Sequence, residues 1–274
     1  MAKPAEEQTV LVTGATDGLG RGVAAELARR GAAVLVHGRR AERGEQTLAE
    51  LGRDTGSERL RLYLADLSSL AEVRRLAEEI EREQDRLDLL INNAGIVAER
   101  RTLSQDGHEL TFAVNHLSHF LLTELLHPLL RRSAPARIVN VSSVGQAPID
   151  FDDVMLERRY DGFHAYAQSK LAQIMFTFEL AERLRAHGEY GVTVNAVHPA
   201  TLMETKMVRR SFGRARSSVE EGVEAVVRLA LSEDVEGVSG RYFDRLEESS
   251  AQPQAYDPEA RRRLWDLSEQ LTRP

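Results

Sequence analysis

The chain has 274 residues, 42% hydrophobic and 29% charged, which suits one globular α/β domain or two small ones with a sizeable core. With 36 basic against 43 acidic side chains, the net charge is −7, which argues against nucleic acid as the main partner. There is no cysteine, so disulfides, thiolate catalysis and cysteine-based metal sites are excluded.

Residues 1–8 are polar and read as a flexible start without the apolar core of a signal peptide. No apolar run approaches the ~18 residues of a membrane span, so a cytoplasmic protein is the default expectation. Thr9 to Thr13 is a short apolar strand that runs straight into Gly14-Ala15-Thr16-Asp17-Gly18-Leu19-Gly20 and then a helical pattern to Arg30. Strand patterns follow at 32–37, 60–65, 87–91, 137–141, 192–197 and 241–243. Helical patterns lie between them at 41–52, 69–85, 104–132, 164–187 and 218–231. A last amphipathic helix spans 259–271, with Trp265 as a core anchor. This alternation predicts one Rossmann-type, doubly wound α/β domain over 9–274, a parallel sheet of about seven strands with helices on both faces.

A glycine-rich turn between a first strand and a helix is a phosphate cradle. Glycines let backbone N–H groups approach a pyrophosphate, and the helix N-terminus adds partial positive charge. The Gly14-x-x-x-Gly18-x-Gly20 spacing differs from the common dinucleotide fingerprint, and a plain strand-to-helix turn has the same composition. At the end of strand two, where an acidic residue would bind the ribose 2′-hydroxyl of NAD, the chain reads His37-Gly38-Arg39-Arg40. Two arginines suit a 2′-phosphate, which favours NADP(H), although solvated arginines at a helix start read the same way. Asp17 in the turn opposes extra negative charge.

Tyr166 and Lys170 are four apart in the 164–187 helix and so project from one face. A free phenol, with a pKa near ~10, is a poor acid–base catalyst at neutral pH. A cation about 4 Å away, at an effective dielectric of about 20, favours the phenolate by roughly 4 kcal/mol before desolvation, enough to lower the pKa by about two to three units. Lysine is scarce here: only Lys3, Lys170 and Lys206 break a basic complement that is otherwise arginine. A surface pair on an amphipathic helix would share the spacing, so the surrounding residues decide.

Those residues carry a resemblance. Thr13-Gly14-x-x-x-Gly18-x-Gly20, Asp66-Leu67, Asn92-Asn93-Ala94-Gly95, Asn115, Ser142-Ser143, Tyr166-x-x-x-Lys170 and His198-Pro199-Ala200 stand in order. Over about residues 9 to 270 the chain resembles the short-chain dehydrogenase/reductase family. The stretches 114–123, 133–143 and 264–268 resemble its retinol-dehydrogenase-like branch.

The resemblance implies a carbonyl–alcohol oxidoreductase in which Tyr166 is the general acid or base. Lys170 would lower its pKa and hold the nicotinamide ribose. Ser143 would hydrogen-bond the substrate oxygen, and Asn115 would hold a water that extends the relay. Thr16, Asp17, Leu19 and the three glycines would bind the cofactor's phosphates, with Asp66 and Leu67 at the adenine. Asn93, Ala94 and Gly95 would line its path, Pro199 and Thr201 would also bind the cofactor, and Thr205 would face the nicotinamide amide or the pyrophosphate. The substrate is expected to be a small lipophilic or aromatic carbonyl or alcohol. Helices 104–132 and 164–187 often form a dimer interface in this family, which leaves a homodimer or homotetramer open.

Ala200 replaces the family's usual glycine, and 145–162 is a long insertion expected to form a substrate flap through Phe151, Met155 and Tyr160, with Phe163 nearby. Loop 202–217 is the expected lid; its Lys206, Arg209, Arg210, Arg214 and Arg216 either attract an acidic substrate or are merely solvated. His116 and His119, three apart on a helix, lack a third metal ligand and read as packing or dimer-face residues, so no metal is expected. A non-catalytic NADP-binding regulator on the same fold is the rival reading; it predicts damage to Asn115, Ser143, Tyr166 or Lys170, and all four are intact.

Overall fold

The computed structural model describes residues 3–211 and 213–273. In chain order the strands are β1 (Thr9–Val12), β2 (Ala33–Gly38), β3 (Leu60–Leu64), β4 (Leu89–Asn92), β5 (Ala136–Val141), β6 (Val192–His198), β7 (Arg241–Asp244) and β8 (Glu247–Glu248). The helices are α1 (Gly18–Arg29), α2 (Ala41–Thr55), α3 (Leu70–Glu83), α4 (Leu110–Phe112), α5 (Ser118–Arg132), α6 (Gly162–Ala186), α7 (Lys206–Ser211), α8 (Val219–Leu231) and α9 (Pro258–Leu271). They join one sheet of order β3-β2-β1-β4-β5-β6-β7-β8. All pairings are parallel except β7 with β8, whose two residues add an eighth strand to the seven expected.

The period of two along each strand sorts side chains to the two faces. Val10 and Val12 of β1, Val34 and Val36 of β2, and Leu89 and Ile91 of β4 join a core under α1, α2 and α8. The residues between them, Leu11, Leu35 and Leu90, join the opposite core with α3, α5 and α6. A strand buried on both faces must be apolar at every position, which is why these strands read as continuous apolar runs. The strand order reverses between β1 and β4, and the crevice beyond their carboxyl ends is where such sheets bind ligands.

Three expectations need correction. The helix over 104–132 begins at Leu110, because buried Glu109 accepts the N–H groups of Thr111 at 2.9 Å and Phe112 at 2.7 Å and caps it there. It then widens into a π-turn over Ala113–Leu117 before α5. The start expected to be flexible is tied from Lys3 onward: Lys3 pairs with Asp88 at 2.6 Å, Ala5–Glu7 form a 3₁₀ turn and Gln8 is buried. Met1 and Ala2 lie outside the described residues. Segment 145–162 has no helix or strand before α6 begins at Gly162, yet Ile149 and Val154 are buried in a third core with α6 and α9, and Leu156 is buried as well.

Trp265 on α9 is the expected anchor, with ring centroids 5.0 Å from Phe120 and 5.8 Å from Phe176. Among the described residues no helix is long and apolar enough to cross a membrane.

Candidate active site

The floor of the crevice is built from the loops after β1, β2 and β4. Thr13 Oγ1 accepts the backbone N–H groups of Asn93 at 2.9 Å and Ala94 at 3.0 Å. The Asn93 amide returns a bond to the Thr13 carbonyl at 2.8 Å. Gly14 and Gly18 have φ of +64° and +49°, the left-handed region that only glycine enters freely. Gly20 is required for space: a Cβ there would lie 2.4 Å from both the Asn93 amide nitrogen and the Gly14 carbonyl oxygen. Asp17 caps α1 by accepting the Gly18 N–H at 2.9 Å.

His37 supports this turn and was not singled out in the sequence. Its Nδ1 accepts the Gly14 N–H at 3.1 Å and its Nε2 donates to the Ala65 carbonyl at 3.1 Å. Burial lowers its pKa to about 4, so the ring is neutral and Nδ1 is free to accept. The available signal was a lone polar residue at the end of an apolar strand.

The far end of the floor carries two cation–carboxylate pairs. Gly38 holds the position where a carboxylate would select NAD, and a Cβ there would lie 2.5 Å from Thr16 Cγ2. Arg39 lines the crevice, 3.7 Å from Asp66. Arg40 does not: it precedes α2 as an exposed residue outside the crevice wall, because the chain turns into the helix there. Lys206 reaches from the lid to Asp17 at 2.5 Å. Burial would raise the Asp17 carboxyl, but the Lys206 and Gly18 hydrogen bonds outweigh it and hold the group below the usual carboxylate range. The negative charge that seemed to oppose a 2′-phosphate is therefore paired.

At the other end, α6 presents Tyr166 and Lys170. Lys170 is 4% exposed, and its Nζ donates to the Val141 carbonyl at 2.9 Å and to Gln173 Oε1 at 2.8 Å. Burial lowers its pKa to about 7. The ammonium is 5.5 Å from the Tyr166 ring centroid. The expectation that Lys170 depresses the Tyr166 phenol is corrected for this structure: burial raises the phenol above 10.0, and a hydrogen bond from Ser143 only partly offsets it. Tyr166 is partly buried in the cleft wall with Lys170 buried behind it, and desolvation acts on both. Ser143 is oriented by accepting the Gly145 N–H at 3.0 Å, which leaves its proton for the phenol oxygen.

Asn115 sits in the π-turn. Its amide donates to the Ile96 carbonyl at 3.1 Å and to Ser169 Oγ at 2.9 Å, while its Oδ1 accepts the Ile96 N–H at 2.8 Å. Both ends of the side chain are occupied, and it braces the loop around Gly95, which faces Lys170.

Of all the site residues expected from sequence, only Arg40 and Asn115 fail to line a single cleft of about 660 Å³. The cleft also exposes Phe163, expected beside the substrate, and apolar side chains that sequence reasoning missed, among them Ile96, Leu110 and Val144. Val144 and Phe163 are about half exposed, at 48% and 53%. Phe151, Met155 and Tyr160 line no part of it. Phe151 packs under Arg263, Met155 accepts Arg101 through its carbonyl at 3.0 Å, and Tyr160 donates to Ala98 O at 2.9 Å. The expected flap is thus packed against the body, and it meets the cleft only where it leaves Gly145 and joins α6.

Loop 202–217 does wall the cleft, through Leu202, Met203, Thr205, Lys206 and Val208. Arg209 pairs with Glu204; Arg214 and Arg216 are exposed, and the Arg210 side chain lies outside the described residues. A larger groove of about 920 Å³ between α1 and α8 contains neither Ser143 nor Tyr166 and is walled by paired charges such as Arg21 with Glu50 and Asp54. His116 and His119 point apart, His116 to Ser268 on α9 at 2.7 Å and His119 to Thr13 at 3.1 Å, so they form no shared ligand set.

Known proteins share this arrangement. The short chain dehydrogenase family profile matches residues 8–215. Retinol dehydrogenase 14 of Mus musculus is 42% identical over 96% of this chain and 85% of its own length. A crystal structure of an uncharacterized protein from Mycobacterium paratuberculosis superposes with a TM-score of 0.80 at 32% identity, over 99% of this chain and 98% of that one. A short-chain dehydrogenase from Escherichia coli CFT073, solved with NADPH, has a TM-score of 0.72 at 26% identity, over 88% of this chain and 97% of that one. A Rossmann-type sheet, a glycine turn at its switch point and a Ser143–Tyr166–Lys170 cluster in one cleft agree with these matches, and the chain belongs to the short-chain dehydrogenase/reductase family of oxidoreductases, in its retinol-dehydrogenase-like branch.

Proposed function

We propose that this protein interconverts a lipophilic or aromatic carbonyl compound and its alcohol with NADP(H). The observation that carries the reading is the meeting of Ser143, Tyr166 and buried Lys170 in one cleft, at the end away from Arg39. When bound, the nicotinamide supplies the hydride.

The residues fit such a group. Left-handed Gly14 and Gly18 open a cradle at the N-terminus of α1, suited to a pyrophosphate. Arg39 at the cleft wall suits a 2′-phosphate, and the space above Gly38 that a carboxylate would need is taken by Thr16. Lys170 has two N–H groups committed to Val141 and Gln173, which leaves the third for a ribose hydroxyl.

Tyr166 holds a proton at its phenol oxygen, because the cleft disfavours the phenolate. It is therefore poised to donate to a carbonyl oxygen as negative charge develops there. Ser143 Oγ stands beside it as a second donor to that oxygen. In the oxidation direction the same phenol receives the alcohol proton. The half-exposed Val144 and Phe163 at the mouth favour an apolar substrate body.

The test is turnover. Tyr166→Phe and Lys170→Ala, assayed by NADPH consumption across a carbonyl panel, are each expected to lower kcat by about 10² or more. Undiminished turnover in both refutes the mechanism. Fluorescence titration is expected to show tighter binding of NADPH than NADH, and tighter NADH binding refutes the cofactor assignment.

A further inference from the structure

One buried histidine touches both halves of the cleft. His119 is 1% exposed and lies one turn after Asn115. Its Nδ1 is 3.2 Å from the Asn115 carbonyl oxygen, and its Nε2 is 3.1 Å from Thr13 Oγ1. Donor counting places the protons. Thr13 Oγ1 already accepts two N–H groups, from Asn93 and Ala94, so it has no lone pair left for a third donor. It must donate, and His119 Nε2 at 3.1 Å lies closer than the Ile91 carbonyl at 3.3 Å. The Asn115 carbonyl can only accept, so Nδ1 carries the ring proton. Burial, with the charge of Lys170 adding to it, lowers the His119 pKa to about 3, which agrees with a neutral ring. The Gln173 amide nitrogen, 3.4 Å from Nδ1, is itself a donor and makes no hydrogen bond to the protonated nitrogen; Gln173 packs beside the ring while its Oε1 accepts from Lys170. The titratable groups facing the ring are Lys170 from α6, His37 from β2 and His116 from the π-turn.

We propose that His119 is a positioning residue that fixes the cofactor turn relative to the π-turn whose Asn115 braces the Gly95 loop beside the catalytic lysine. Through Thr13 it sets the Asn93 and Ala94 N–H pair at the floor. Through the Asn115 carbonyl it sets the π-turn, whose Asn115 side chain braces the Gly95 loop beside Lys170. Movement of the ring would displace both, so cofactor affinity and turnover are expected to change together. What the two halves accomplish rests on the oxidoreductase reading above; the ring's hydrogen bonds do not.

Two substitutions separate hydrogen bonding from packing. His119→Phe keeps an aromatic ring but loses both bonds. His119→Gln keeps an acceptor for Thr13 and a donor for Asn115. NADPH affinity is read by fluorescence and turnover by NADPH consumption, with folding of each variant checked by circular dichroism. The Phe variant is expected to lose about tenfold or more in both affinity and kcat, and the Gln variant to stay within about threefold of wild type. The reverse order, with Phe closer to wild type than Gln, assigns the ring to packing and overturns the proposal.

If the Phe variant does not fold, the cofactor-free wild type decides. A long-range ¹H–¹⁵N spectrum of its imidazoles is expected to show His119 as the neutral Nδ1–H tautomer from about pH 5.5 to 8. An Nε2–H tautomer, or protonation in that range, overturns the proposal. Wild-type protein that binds no NADPH would refute the functional reading and leave the tautomer result to judge the ring.

Discussion

The floor and the lid of the cleft are held by opposite kinds of interaction. The floor is backbone pinned by buried, uncharged groups: Thr13 under Asn93 and Ala94, His37 under Gly14, and His119 between Thr13 and Asn115. The lid, 202–217, is held by the Lys206–Asp17 and Arg209–Glu204 ion pairs, with Lys206 and Arg209 both about two-thirds exposed. Two backbone bonds close the loop on itself, Arg216 N–H to Leu202 O at 2.9 Å and Glu204 N–H to Ser217 O at 3.1 Å. Losing one partner of a buried hydrogen bond costs about 1–3 kcal/mol, whereas an exposed ion pair contributes about 0–1 kcal/mol and is screened by salt. The floor is therefore held by the stronger polar contacts of the two, and segment 202–217 by the weaker.

The largest expected effect comes from breaking the floor. Gly20→Ala places a methyl 2.4 Å from the Asn93 amide and the Gly14 carbonyl, neither of which moves without releasing Thr13. A loss of about 1–3 kcal/mol or more is expected in urea unfolding, together with loss of NADPH binding. An alanine variant with wild-type stability would mean that the floor is looser than its hydrogen bonds imply.

A middle-sized effect belongs to Lys170. Its folded pKa is depressed from 10.5 to about 7, so between those values the unfolded chain binds more protons than the folded one. Stability of the cofactor-free protein is expected to rise with pH across that window, by up to about 1.4 kcal/mol per pH unit from this group. Denaturant midpoints at several pH values, for wild type and Lys170→Met, isolate the term: the difference between them should grow with a steeper slope in wild type. Equal slopes would mean that Lys170 is not desolvated. A related expectation is that NADPH binding near pH 8 takes up protons, because the cofactor's negative charge favours the ammonium. Calorimetry in buffers of different ionisation enthalpy measures this, and proton release would contradict it.

The smallest effect is expected in the lid. Lys206→Ala should weaken NADPH binding by less than about fivefold at low salt, and the difference should fade at about 0.5 M salt. A salt-independent loss of a larger size would place Lys206 with the floor.

Much of the site was legible because its chemistry is local. Glycines in a strand-to-helix turn, and a tyrosine and lysine one helical turn apart, announce themselves by spacing. Segment 145–162 shows where that kind of reading stops. Its aromatic and apolar residues suggested a flap over the substrate. They pack instead on α6, α9 and the Ala98–Glu109 region, because burial there removes more apolar surface from water than an open cleft mouth does. His37, His119 and Gln173 were illegible as site residues for a related reason. A polar residue in an apolar run shows that some partner must exist when it is buried, but not which one.

The sequence by itself determined the doubly wound sheet, the cofactor turn and the cluster of Ser143, Tyr166 and Lys170, since periodicity and residue type are properties of short stretches. Tertiary structure alone decided that burial raises the Tyr166 phenol and lowers the Lys170 ammonium, that Lys206 pairs with Asp17, and that Arg39 rather than Arg40 faces the cleft. Each of these depends on desolvation or on a partner distant in the chain, and both exist only once the chain has folded.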